Sequence, residues 1–293
     1  MLWRLGRYRD KGRLAQALAE SRGKIPGALR RELLRLGAVE LARFLADLWP
    51  QLERATRQQL TALAEEEGII GAWLEVLEEG KPFEKTAAAA VLGEMEVKAA
   101  IGPLLAALGD GDGGVQMAVT AALIRLGDAR CLGPLLVALK EPRRWPPARV
   151  AEILLAFKQK SLPLLLELLE RETDEEMTVR LINILATFKE GQSLTALTRF
   201  LDDEREDVRR AAASALGEIG CFTGARALVK ALKDPSAGVR AAAALALGKL
   251  KSREALSSLK ECLADKSWEV RTAAAAALGE IGTAGEAHPT KGE

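Results

Sequence analysis

The chain has one histidine in 293 residues, three cysteines, and aromatic side chains at only 4%. The single histidine, His288, lies five residues from the C-terminus. Most acid–base chemistry, histidine-based metal sites and Ser–His or Cys–His nucleophiles are therefore excluded. Cys131, Cys221 and Cys262 are odd in number and show no CxxC spacing, so they read as reduced thiols of a cytoplasmic protein. No apolar run approaches the roughly 18 residues that span a bilayer. The basic N-terminus has no apolar stretch of the signal-peptide kind. No phosphate-binding glycine loop occurs; the glycines are expected to end helices. The carboxylate pairs Glu175/Glu176 and Asp202/Asp203 fall in turns, where solvated capping accounts for them. No catalytic residue, metal or cofactor is expected, and the chain does not read as an enzyme.

What is present is alanine, leucine and a period. The tract from Asp203 to Gly220 returns twice at intervals of 31 residues, marked by Val208, Val239 and Val270, by Arg209, Arg240 and Arg271, and by Gly217, Gly248 and Gly279. A fixed period of this size is the signature of stacked helical repeats. The spacing predicts two helices per repeat. Helix A carries apolar residues at helical intervals; a turn follows in which Asp234, Pro235 and Ser236 stop one helix and cap the next; helix B is Ala-rich. Val208, Ala212, Ala215, Leu216 and Ile219 should face the core, with Arg210, Ser214 and Gly217 on other faces. Their counterparts Ala241, Leu245, Gly248, Thr272, Ala276 and Gly279 make the helix-B surface of the last repeats smooth and weakly charged, which suits a partner's helix or an extended peptide.

The expected helical pairs are Leu194–Gly220, Ala225–Leu250 and Ala255–Gly282, with weaker copies at Ala100–Gly127, Cys131–Phe157 and Ser161–Phe188. Further upstream come Gly71–Glu79 with Pro82–Met95, and Val39–Trp49 with Gln51–Glu65. Pro103, Pro134 and Pro163 are placed in the first turn of their helices. The organisation predicted is a basic segment with capping helices over 1–35, a repeat array over 36–282 that is regular from about 80, and a polar, disordered tail over 283–293.

These residues resemble the HEAT family, in particular the short HEAT-like repeats of the phycobilisome-lyase type. The match is carried by Asp-x5-Arg followed by Ala-Ala-x-Ala-Leu-Gly. The Asp/Arg pairs are Asp174/Arg180, Asp203/Arg209, Asp234/Arg240 and Asp265/Arg271. The resemblance implies an all-α, right-handed α-solenoid of about eight antiparallel helix pairs, with helix B on the concave face and the Asp and Arg side chains forming a ladder between neighbouring repeats. Gln116 and Ala151 stand where the arginine is expected, so the ladder should be interrupted over 110–151. The di-iron enzymes built on such repeats hold their metals with His–Glu pairs, and this chain has none.

The function this implies is a scaffold that binds another protein on its repeat surface. A phycobilin-chromophore lyase or lyase subunit is the alternative that the repeat resemblance keeps open, and a HEAT-like DNA-binding protein is a further one. A net charge of +1 argues against nucleic acid as partner. Residues 1–35 nevertheless carry ten Lys/Arg against three Asp/Glu, a composition fit for peripheral contact with an anionic membrane surface or for a solvated first helix. The expected protein-binding residues are Arg143, Arg144 and Trp145, in the long turn Glu141–Pro147, and Arg210 on helix B. Trp145 is alternatively folded back over the broken ladder, and Trp268 is placed as a cap on the end of the stack.

Overall fold

The computed structural model describes residues 2–21, 24–140 and 145–286, which form α-helices joined by short turns and 3-10 helices. Among the described residues the fold is all-α, in two compact units, Met1–Phe157 and Lys158–Glu293, each built of stacked solenoid-type helix pairs.

The first unit contains α1 (Leu2–Glu20), α2 (Gly27–Leu34), α3 (Gly37–Leu48), α4 (Arg54–Glu66), α5 (Ile69–Glu79), α6 (Pro82–Glu94), α7 (Ile101–Ala107), α8 (Gly113–Leu126), α9 (Leu132–Ala138) and α10 (Pro147–Ala156). Its helix-B row is α3, α6, α8 and α10, each packed on the next. The expected pairing of α3 with α4 is corrected by this row. α3 stacks against α6 as a B helix and takes α2 as its companion, whereas α4 packs on α5. The reason is burial. Leu41, Ala42, Phe44 and Leu45 give α3 an apolar face wide enough to sit in the row. Trp73 of α5 is fully buried and donates its indole N–H to the Ala38 carbonyl at 2.8 Å, which ties α5 to the start of α3. In the basic N-terminal region, Lys11 pairs with Glu40, and Arg30 with Glu66 and Glu67.

The second unit contains α11 (Lys158–Arg171), α12 (Glu175–Phe188), α13 (Gln192–Arg199), α14 (Glu206–Ile219), α15 (Ala225–Ala231), α16 (Ala237–Lys249), α17 (Leu256–Cys262) and α18 (Trp268–Glu286). The B row is α12, α14, α16, α18. α11 starts three residues before the expected Ser161, which leaves Pro163 inside the helix and not in its first turn. α18 continues helical to Glu286, into the stretch expected to be a disordered tail; residues 287–293 lie outside the described residues. Its Ala-rich run carries the helix through Gly279, Gly282 and Gly285 with no proline inside it.

The core follows the period. Val208, Val239 and Val270 are fully buried, as are Leu216 and Leu247. The glycines of the Ala-Leu-Gly motif do not end their helices. Gly217 and Gly248 lie within α14 and α16 and are buried. A Cβ on Gly217 would sit 2.7 Å from the Ala246 Cα, and one on Gly248 would sit 2.7 Å from the Ala277 Cα. Gly93 of α6 stands in the same relation to Ala122 of α8, also at 2.7 Å. Glycine is required there because two B helices touch backbone to backbone. At Gly279, on the last B helix, a Cβ would meet nothing within 4 Å. Leu263 shows the same end effect: it is 43% exposed, against 7% and 5% for its counterparts Leu201 and Leu232.

Candidate functional site

Two features of the second unit bear on function: a column of ion pairs between repeats, and a groove along the B row.

In the column, Arg209 forks onto Asp234 (Nε at 2.8 Å, NH2 at 3.2 Å) and its NH1 donates to the carbonyls of Asp203 and Glu204. Arg240 repeats this on Asp265 and on the carbonyls of Asp234 and Pro235. Each arginine thus ties its own turn to the next repeat. Hydrogen bonding to Asp234 and to Asp265 raises the guanidinium pKa values of Arg209 and Arg240 above the ordinary arginine range. The same contact lowers Asp265, helped by the Ser267 amide. These bonded and largely buried groups are structural.

Asp174 and Arg180 are corrected as members of this column. Asp174 caps α12, accepting from the Met177 amide at 2.8 Å, and Arg180 donates to Glu176 in its own helix. The position one period before Arg209 is Thr178, whose hydroxyl donates to the Asp174 carbonyl. The missing guanidinium comes from the following turn. Arg205 forks onto Asp203 with Nε and NH2, both at 2.9 Å, and its NH1 donates to the Thr173 carbonyl at 2.8 Å. That is the bonding of an ordinary rung, with the arginine supplied from the opposite side. It holds the Asp203 carboxyl below its usual pKa. In the first unit, Lys85 makes a rung with Asp110 at 3.0 Å. Gln116 keeps only the inner half of one, donating to the Asp110 carbonyl. On the last helix, Arg271 bonds the carbonyls of Asp265 and Lys266.

The groove has a volume near 640 Å³ and crosses all four B helices of the second unit. The 31-residue period lays out its lining in columns. One is Asn183, Ser214, Leu245 and Ala276; another is Val179, Arg210, Ala241 and Thr272; a third is Asp207, Gly238 and Glu269. Leu245 is 46% exposed and Trp268, at the start of α18, is 66% exposed. Arg210 and Asp207 form an ion pair at 2.8 Å within α14. Glu269 has no ion pair among the described residues. The groove is therefore mostly apolar at its α16–α18 end, where Thr272, the Trp268 indole N–H and the uncompensated Glu269 carboxylate are the polar exceptions.

Of the expected contact residues, Arg210 lines this groove. Arg143 and Arg144 lie outside the described residues. Trp145 is corrected as an exposed contact. Only 5% of it is exposed: two residues before α10, its large apolar ring is turned inward. Trp268 is the exposed indole instead, and it belongs to the groove. Asn183 follows from applying the period to Ser214, whereas Asp207 and Glu269 join the lining only through the fold.

Among the described residues no group of three His, Cys, Asp or Glu side chains is arranged to hold a metal ion, and no helix is long and apolar enough to cross a membrane. No curated protein matches the chain. The solved structures it resembles include human deoxyhypusine hydroxylase (18% identity, 96% of this chain and 99% of that one, TM-score 0.39). They also include the CpcE–CpcF complex of phycocyanin lyase from a Nostoc species (20%, 75% and 90%, TM-score 0.37). A third is Kap121p (13%, 92% and 37%, TM-score 0.45). At these identities the likenesses assign no activity. The model of HEAT repeats matches residues 162–225 and 225–289. Both matched stretches fall within the second unit, Lys158–Glu293.

Proposed function

We propose that the protein is a non-enzymatic scaffold whose second unit binds another protein along the α12–α14–α16–α18 groove. The observation that carries this is the exposure of Leu245 and Trp268 in one continuous apolar channel. On α12, α14 and α16 the leucines at the repeat-motif position, Leu185, Leu216 and Leu247, are fully buried, whereas Leu245 and Trp268 are turned out of that packing. Exposed apolar surface gathered in a groove marks an interaction site. The polar lining consists of one amide, two hydroxyls, one indole N–H, one ion pair and one carboxylate, which suits recognition more than proton transfer. The three cysteines are free thiols, as in a reducing compartment such as the cytoplasm.

The test is affinity capture from the native host with wild-type protein and with Leu245→Arg. Leu245 is half-exposed on a helix surface, so the variant should keep the wild-type melting temperature. A protein retained by wild type and lost from Leu245→Arg supports the reading. Equal retention by both places the contact surface elsewhere.

A further inference from the structure

We infer that the groove takes an amphipathic α-helix of the partner, seated with a lysine or arginine against Trp268 and Glu269. This rests on the groove being the protein-binding surface; the shape and charge of the occupant are the new claims.

The shape follows from hydrogen bonding. An extended peptide brings unpaired amides and carbonyls into its site and needs donors and acceptors spaced along it. The central column of this groove offers an amide at Asn183 and a hydroxyl at Ser214, and then changes to Leu245 and Ala276. Gly238, Ala241, Ala242 and Ala273 beside them carry no polar side-chain atoms. Over the α16–α18 half an extended backbone would meet only Thr272, Glu269 and the Trp268 indole N–H as side-chain partners, with no polar group recurring from repeat to repeat. A helix satisfies its own backbone and needs only an apolar stripe. Helices packed about 8–10 Å apart make a four-helix row about 25–30 Å long. At 1.5 Å per residue that is matched by a partner helix of roughly 17–20 residues.

The charge follows from Glu269. Asp207 and Arg210 neutralise each other at 2.8 Å, which leaves Glu269 as the unpaired charge of the lining among the described residues. Trp268, which lines the same end of the groove, is 66% exposed. A carboxylate and an exposed indole lining one end of a groove favour a cationic side chain there, through ion pairing with the one and cation–π contact with the other. The same charge repels phosphate and so disfavours nucleic acid as occupant.

Three labelled peptides of about 18 residues, the length of the row, test this by fluorescence anisotropy. The first is a helix-forming sequence with a Leu/Ala stripe and an arginine in its terminal turn. The second has glutamate in place of that arginine. The third keeps the arginine and has two interior prolines, which prevent a helix. Each is titrated with full-length wild type and with Glu269→Lys. We expect wild type to bind the arginine peptide about tenfold more tightly than the glutamate peptide, a difference of about 1.4 kcal/mol. Glu269→Lys should reverse that order, and the proline peptide should not bind either protein. A proline peptide that binds as well as the helical one overturns the helix and leaves the protein-binding groove standing. An arginine preference unchanged in Glu269→Lys overturns the placement of the cation. If no peptide binds, the proposed occupant is wrong, and the Leu245→Arg capture experiment decides separately whether the groove binds protein.

Discussion

A glycine inside a helix costs about 1 kcal/mol relative to alanine. At Gly217 and Gly248 that cost is offset by the approach of the next B helix to van der Waals contact. At Gly279 nothing approaches, and the cost stands. The two positions share one motif, so alanine at each should act with opposite sign. Gly248→Ala drives a Cβ into the backbone of Ala277 and should destabilise by about 1–3 kcal/mol. Gly279→Ala should stabilise by about 0.5–1 kcal/mol. Chemical denaturation of both variants measures this, and shifts of the same sign would contradict it. The arginines offer a similar comparison. Arg240 is 6% exposed, and its loss would strand Asp265 and two carbonyls, so Arg240→Ala should cost about 2–3 kcal/mol. The cost is larger than a surface ion pair would suggest. Arg271, exposed at the end of the column, should cost less than about 1 kcal/mol when truncated. Acid should act on the same rungs. Asp203 and Asp265 are held below the ordinary carboxylate range, so the stability they add is complete above about pH 4 and is lost as pH falls through their lowered values. In melts from pH 7 to pH 3, Asp265→Asn should be less stable than wild type at pH 7, and the gap should close on acidification.

Between repeats, the column shows how a broken element is repaired from its neighbour. Thr178 takes the place of an arginine, and Arg205 reaches back from the following turn to make the same bonds. Arg205→Ala should therefore destabilise by about 1–3 kcal/mol through the stranded Asp203 carboxylate. Thr178→Arg, added to that variant, should recover part of the loss by restoring the rung from its periodic side. A double-mutant cycle with no coupling between the two positions would refute the repair. The long turn before α10 is read differently once its tryptophan is seen to be buried. Trp145→Ala should lower stability by about 3–5 kcal/mol, as for a core tryptophan. A melting temperature equal to wild type would contradict that burial.

Across the whole molecule, the repeats of the second unit were legible to within a few residues because period and burial agree there. Val208, Val239 and Val270 mark both the spacing and the core. Legibility failed where one residue type serves two jobs. Asp174 and Arg180 have the right separation for a rung, yet Asp174 caps a helix, and only the 31-residue period singles out Thr178. The glycines of the Ala-Leu-Gly motif resemble helix ends in sequence, since glycine also ends helices; their role appears only when the facing alanine is placed. α3 shows no Ala-rich consensus, so its membership of the B row depends on what it packs against. The groove columns were half visible. Arg210, Ser214, Leu245 and Ala276 follow from the period, whereas the exposed Trp268 and unpaired Glu269 required the fold.

The claim on which the functional account turns is that a protein binds across Leu245. Isothermal titration of a purified captured partner against wild type and Leu245→Arg measures it most directly. The account predicts at least about a tenfold loss of affinity, or about 1.4 kcal/mol, with an unchanged melting temperature. Equal affinity for the two proteins would contradict it.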